Sequence, residues 1–129
     1  MAVTHSTAAR NAATDAVTAL IGASGNLVFR LTGTVGAPGT AVATLPLSAT
    51  AFGASASGTA TANAITSDTN ATGNASAVAT ATLETSAGTV VIHCDVAASA
   101  SDINMTNGLT VAAGDTVSCS SLTYTALSA

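Results

Sequence analysis

A period of two dominates the segment from Gly58 to Leu83, where small residues alternate with threonine, serine and asparagine. The alternation is clearest at Thr59–Asn63 and again at Ala75–Leu83. Successive side chains of a β-strand point to opposite faces of the sheet, so this pattern predicts strands with one half-buried face. Threonine favours a pleated surface and alanine fills little space, so neighbouring layers can approach closely. The segment therefore favours a structural surface protein over an enzyme.

The composition limits what can hold such a fold together. The chain has 129 residues, enough for one domain, and 48% of them are hydrophobic, but aromatic residues make up only 2%. Much of the apolar fraction is alanine, and burying alanine removes little area from water. We therefore expect association with itself or with a partner to supply part of the stability.

Charge is scarce and argues against several classes of partner. Charged residues make up 6% of the chain, against a usual share of about 25%, and the net charge is −4 with no basic cluster. This composition argues against binding to nucleic acid or to an anionic membrane. No run of about 18 apolar residues is present, so the sequence predicts no membrane span.

One helical pattern covers Thr7–Ile21. Six residues can share an apolar face, and the polar residues populate the opposite face; the apolar set is Ala9, Ala13, Ala16, Val17, Leu20 and Ile21. Thr4 and Ser6 are the candidate N-caps, and Gly22 lies where a left-handed residue ends a helix. The apolar stripe either covers the core or contacts another subunit. We divide the chain into an N-terminal arm and helix, residues 1–22, and a single β domain, residues 23–129.

Short segments bounded by turn residues predict about seven strands. They cover residues 26–32, 40–45, 58–65, 74–84, 89–96, 109–111 and 116–125. The segment 89–96 is the most hydrophobic and β-branched, so it is the candidate central strand. Near Ser120 the alternation of apolar and polar residues shifts by one position, which predicts a β-bulge. The fold class is mainly β: an antiparallel β-sandwich or small barrel of about seven short strands with one short N-terminal helix.

The titratable residues form no pattern typical of catalysis or metal binding. His93 and Cys94 are neighbours in a predicted strand, so their side chains point to opposite faces. The sequence therefore predicts no enzyme activity, no metal and no cofactor. We predict two reduced thiols at Cys94 and Cys119; a disulfide between them is the alternative if their strands are neighbours.

Several short segments of this sequence resemble those of small structural proteins of tailed bacteriophage virions. They are Thr4–Ala12, Ala51–Ala54, Gly58–Thr69, Ala113–Val117 and Ser120–Tyr124. In such proteins a short N-terminal helix precedes a β domain rich in alanine and threonine, and many of them are capsid decoration, or cement, proteins. The resemblance implies a protein that is made in the host cytoplasm, binds the major capsid protein on the outer head surface and stabilises the shell by bridging capsid subunits. The alternative is a tail-fibre, head-fibre or baseplate module that contacts the host surface.

A shell with threefold positions favours a homotrimer, with a dimer as the next possibility.

On so uncharged a protein, the few charged and polar residues near the N-terminus and in the first strand can fix orientation on a capsid. The predicted contact residues are His5, Arg10, Asn11 and Arg30. The alternative is that these four are ordinary solvated residues. We expect deletion of residues 1–21 to abolish capsid attachment and to leave the β domain folded.

Overall fold

Two β-sheets and one helix form the part of the chain that the computed structural model describes, residues 3–129. The elements in chain order are α1 (Thr7–Ala19), β1 (Asn26–Arg30), β2 (Ala41–Pro46), β3 (Thr59–Thr61), β4 (Thr80–Glu84), β5 (Val90–Ala97), β6 (Ile103–Asn104) and β7 (Thr123–Thr125). A curled five-stranded sheet has the order β2-β1-β4-β5-β6, and β3 pairs with β7 in a second sheet. The prediction of a mainly β fold with one short helix is confirmed.

Strand pairing is antiparallel except between β5 and the very short β6, which run parallel. The five-stranded sheet is therefore mixed, where the sequence predicted an antiparallel fold. The segment 109–111 forms no strand. Its carbonyl groups instead accept hydrogen bonds from irregular chain, with Asn74 N–H donating to Val111 and Val78 N–H donating to Leu109. Residues 118–122 also lie outside any strand, so the bulge predicted near Ser120 is wrong.

The central strand is β4, and the prediction that residues 89–96 form it is wrong. β4 lies between β1 and β5, and all five of its residues are buried. Alanine and threonine are small enough to be covered on both faces, and the Thr82 hydroxyl has hydrogen-bond partners there. β5 lies next to the edge, because the two residues of β6 pair only with Val96 and Ala97.

One apolar core joins the two sheets. Leu27 on β1 lies opposite Leu45 on β2 and opposite Leu83 on β4, and all three are almost completely buried. Ala60 of β3 belongs to the same core, as does Ile21 directly after the helix. Burying each of these leucines contributes roughly 2 kcal/mol, whereas the alanines contribute much less.

The outer edge of β2 is covered by the chain itself. The backbone N–H of Thr44 donates to Asp68 Oδ2 at 2.9 Å. The carbonyl groups of Pro46 and Val42 accept hydrogen bonds from Thr66 and Gly73, at 2.9 and 3.0 Å. Proline has no N–H to contribute to a ladder, so Pro46 suits this position at the end of an edge strand. The segment 66–73 therefore uses the outward backbone groups of β2.

Ser6 and Gly22, which the sequence places at the two ends of α1, have the conformations and contacts expected there. The Ser6 side chain accepts a hydrogen bond from the Ala9 N–H at 3.1 Å, which confirms it as the N-cap. Gly22 has a φ of +69°, a left-handed conformation that suits glycine. The helix ends at Ala19, two residues before the predicted Ile21, because the chain there turns Ile21 into the core.

Candidate functional site

Helix α1 packs on the β domain with its polar face. Thr14 is fully buried and Thr18 is 8% exposed. The Thr14 hydroxyl donates to the Gly58 carbonyl at 2.6 Å and accepts from the Ala126 N–H at 3.1 Å. A buried hydroxyl with two partners is well satisfied, so this face can be covered at little cost. The helix therefore packs on the domain through the face on which the sequence places its polar residues.

Further hydrogen bonds from the same face hold the segment 55–58 against the helix. Asn11 Oδ1 accepts from the Gly58 N–H at 2.7 Å, and Asp15 Oδ1 accepts from the Ser55 N–H at 2.9 Å. The Ser55 hydroxyl donates to the Asn11 carbonyl at 3.1 Å. Each bond joins positions at least 40 residues apart in sequence. Asn11, Thr14 and Asp15 therefore form a polar seam between the helix and the domain.

Arg10 and His5 connect the N-terminal segment to the end of the described chain. Arg10 Nε donates to the Leu127 carbonyl at 3.1 Å, and Arg10 Nη2 donates to the Ser57 carbonyl at 2.8 Å. His5 Nδ1 donates to the Ala129 carbonyl oxygen at 2.7 Å. His5, Arg10 and Asn11, three of the predicted contact residues, thus each make side-chain hydrogen bonds within the chain. Their role in capsid contact remains a prediction.

The outward side of α1 consists mostly of alanine. Of the predicted apolar face, Ala9, Ala16 and Leu20 are exposed, whereas Ala13 and Val17 are half-buried and Ile21 is buried. The exposed residues on this surface are all apolar: Ala8, Ala9, Ala12, Ala16, Ala19 and Leu20. We call these six residues the outer face of α1. Leu20 is 66% exposed, and Val3, just before the helix, is 75% exposed. An exposed apolar surface of this kind is typical of a contact site.

Arg30, the fourth predicted contact residue, lies on the five-stranded sheet away from α1. Its Nη2 is 2.5 Å from Glu84 Oε2, and the two side chains are only 12% and 7% exposed. Arg30 Nε also donates to the Thr82 hydroxyl at 3.1 Å, and Nη1 donates to the Gly39 carbonyl at 2.6 Å. Thr82 in turn donates to Glu84. This arrangement neutralises a carboxylate that the fold buries in the central strand.

Both cysteines have free thiols in the described residues 3–129, and both are half-buried. Burial, with the nearby carboxylates of Asp102 and Asp95 adding to it, raises the pKa of the Cys94 thiol to about 11. Burial also raises the pKa of Cys119. Since the thiolate is the reactive form, both side chains are weak nucleophiles near neutral pH. The structure thus agrees with the prediction of two unpaired thiols.

No cluster of three or more histidine, cysteine, aspartate or glutamate side chains within residues 3–129 is arranged to hold a metal ion. No helix in the same range is long and apolar enough to cross a membrane.

The polar seam is the feature that the sequence analysis missed. Its signal was present as a second stripe at helical spacing, formed by Asn11, Thr14 and Thr18, with Asp15 beside it.

No family model, no curated protein and no solved structure matches this chain.

Proposed function

We propose that this chain is a structural protein of a tailed-phage virion that decorates the outside of the head. In this role it binds the major capsid protein, bridges neighbouring capsid subunits and stabilises the shell, after synthesis in the host cytoplasm. The observation that carries the proposal is the outer face of α1. A helix that packs through polar side chains and exposes alanine and leucine is arranged for contact with something outside the domain.

The polar seam gives this surface a fixed position. Hydrogen bonds from Asn11, Thr14 and Asp15 hold the helix on the domain, so little conformational entropy remains to be lost when a partner binds. Alanine side chains allow the backbone of a partner to approach closely. The outer face also carries no charge, so contact with it requires no desolvation of an ion. These properties suit a protein that must cover a large, preformed surface.

We also propose that the two sheets form the layers of a β-sandwich rather than a barrel. Residues of β1, β2 and β4 share one apolar core with Ala60 of β3, and Tyr124 of β7 packs against it. Among residues 3–129, no strand pairing connects the five-stranded sheet to the two-stranded sheet. Two unconnected sheets around one core are typical of a sandwich.

The first experiment measures the copy number of this protein in purified virions by quantitative mass spectrometry, scaled to the major capsid protein. We expect a ratio near one or a simple fraction of it. A few copies per particle would instead favour the tail-fibre, head-fibre or baseplate alternative, and absence from virions would overturn the structural role.

The second experiment measures binding to purified capsid shells that lack this protein. We expect Ala16→Glu and Leu20→Glu to weaken binding at least tenfold, because each places a charge in an apolar contact. Val35→Glu is the matched control, since Val35 is 59% exposed and lies outside α1. If all three variants bind as tightly as the wild type, the outer face of α1 is not the capsid contact.

A further inference from the structure

The turn that follows β6 carries a pair of residues found nowhere else in the sequence, an asparagine directly followed by glycine, at Asn107 and Gly108. The other six asparagines precede alanine, leucine or methionine. Residues 106–108 are all exposed and belong to no strand. The pair is therefore open to water in the folded protein.

The side chain of Asn107 is not held by the fold. Within residues 3–129 it makes no hydrogen bond, and the Gly108 N–H has no backbone acceptor there. Asn104, three residues earlier, shows the contrast, because its Oδ1 accepts a hydrogen bond from the Ser101 N–H at 3.0 Å. Asn74 Oδ1 likewise accepts from a backbone N–H. The Asn107 amide is thus free to rotate towards its own backbone.

We propose that Asn107 is a site of spontaneous modification, at which its side-chain amide is lost as ammonia. The backbone nitrogen of Gly108 attacks Cγ of Asn107, so a bond forms between these two atoms while the bond from Cγ to Nδ2 breaks. The proton of the Gly108 N–H passes to water and the leaving nitrogen takes a proton from water, so ammonia departs and a cyclic imide remains. Water then opens this ring at either carbonyl carbon and leaves aspartate or isoaspartate. The inference goes beyond the proposed decoration role and does not depend on it.

Glycine after the asparagine makes the attack easy, because no Cβ stands beside the attacking nitrogen. A Cβ added at Gly108 would meet nothing within 4 Å, so the surrounding elements also leave this turn space. Asn26 is the opposite case, since it lies in β1 and pairs with both β2 and β4, which fixes its backbone. Sequence and fold thus both single out Asn107.

The change stays local, because the chain is held on both sides of the turn. The Met105 N–H donates to the Ala97 carbonyl, and the Leu109 carbonyl accepts from the Val78 N–H, both at 2.9 Å. Isoaspartate lengthens the main chain by a methylene group, and the exposed residues between these two hydrogen bonds can accommodate it. We expect both products to keep the fold of the domain.

Either product adds a carboxylate to the lining of a cavity of about 700 Å³. Asn107 lines this cavity together with Asp102 and Asp115, and no arginine or histidine of residues 3–129 does so. The new charge therefore joins two carboxylates with no cation beside them to offset it. Modification makes this part of the surface more acidic as the protein ages.

Peptide mass spectrometry of the full chain after incubation at mildly alkaline pH tests the proposal. We expect Asn107 to convert roughly tenfold faster, or more, than Asn70, which is also exposed but precedes alanine. Conversion should slow at mildly acidic pH, because the attacking nitrogen has to lose its proton. Labelling by an isoaspartyl methyltransferase identifies the isoaspartate product. If Asn107 converts no faster than Asn70, the proposal is wrong.

The same incubation in urea shows what the fold contributes. We expect the rate at Asn107 in the folded protein to lie within about tenfold of the rate in the unfolded chain, because the turn is exposed and lacks hydrogen bonds. Stronger protection in the folded protein would overturn the proposal. Gly108→Ala tests the attacking residue, and its comparison is made in urea because Gly108 has a φ of +110° in the folded turn. We expect conversion to be roughly tenfold slower in this variant, and an unchanged rate would contradict the attack by the Gly108 nitrogen.

Discussion

The hydroxyl of Thr14 donates a hydrogen bond of 2.6 Å to the carbonyl oxygen of Gly58, across 44 residues of sequence. The same hydroxyl accepts from the Ala126 N–H. One side chain therefore connects the helix, the turn before β3 and the chain after β7. Helix α1 depends on this polar contact for its orientation more than on apolar burial.

Thr14→Val keeps the shape of the side chain and leaves both backbone partners without their hydrogen bond. We expect the free energy of unfolding to fall by about 2 kcal/mol, the usual effect of unsatisfied buried polar groups. Urea denaturation measures it. Thr7→Val, at an exposed helical position, is the control and should change stability by less than about 0.5 kcal/mol. Equal effects of the two variants would contradict the role assigned to Thr14.

Arg30→Met removes the cation that neutralises Glu84. We expect a loss of about 3 kcal/mol in the free energy of unfolding, since a nearly buried carboxylate then lacks its partner. Combining it with Glu84→Leu removes the unpaired charge, so the double variant should be more stable than Arg30→Met alone. Chemical denaturation of the two single variants and the double variant gives the coupling energy. A double variant less stable than either single one would contradict this account.

Gly58→Ala adds a side chain where the backbone has a φ of +83° and where a Cβ would lie 2.9 Å from Arg10 Nε. We expect it to cost about 2 kcal/mol through backbone strain and displacement of Arg10. Gly22→Ala has similar backbone strain at φ +69° but nothing within 4 Å of the added atom, so it should cost less. In an Arg10→Ala background the difference should shrink, because the guanidinium is gone and the Cβ of residue 10, 3.2 Å away, is what remains of this contact. Thermal denaturation measures all of these, and an undiminished difference would contradict the contact with the Arg10 guanidinium.

The raised pKa of Cys94 predicts a dependence of stability on pH. The thiol has an ordinary pKa of 9.0 and one of about 11 in the folded protein. The unfolded chain therefore loses this proton first as pH rises, so the contribution is complete below pH 9 and is lost as pH rises to about 11. Cys94→Ala should show a smaller decline in the free energy of unfolding over this window. Urea denaturation at several pH values tests it, and parallel curves for the two proteins would contradict the prediction.

The sequence predicted the ends of α1 better than its orientation. Ser6 and Gly22 are local signals, because capping and left-handed backbone depend on neighbouring residues. Which face packs depends on carbonyl and N–H groups 40 or more residues away, at Ser55 and Gly58. When an apolar stripe consists mostly of alanine, its burial contributes so little that a row of satisfied hydroxyl and amide groups can decide the orientation.

The positions of the strands were also only partly predictable from the sequence. β1 and β2 contain leucine, valine and phenylalanine and were predicted within two residues of their observed ends. Alternating alanine and threonine extends over residues 74–84, but the strand covers only Thr80–Glu84. Alternation of small residues shows where a strand is possible and does not mark where pairing begins. The position of β5 beside the edge depends on strand order, which one sequence does not contain.

The covered edge of β2 limits how the five-stranded sheet can be extended by strands from other molecules. A sheet with two open edges can add molecules at both sides and extend into a fibre. In this protein Thr66, Asp68 and Gly73 use the outward groups of β2, so strand addition on that side would first have to displace the protein's own chain. In the five-stranded sheet, the β2 edge is therefore closed to a further strand. The segment 66–73 thereby blocks growth at one side of this sheet, so the five-stranded sheet cannot extend into a fibre through both of its edges.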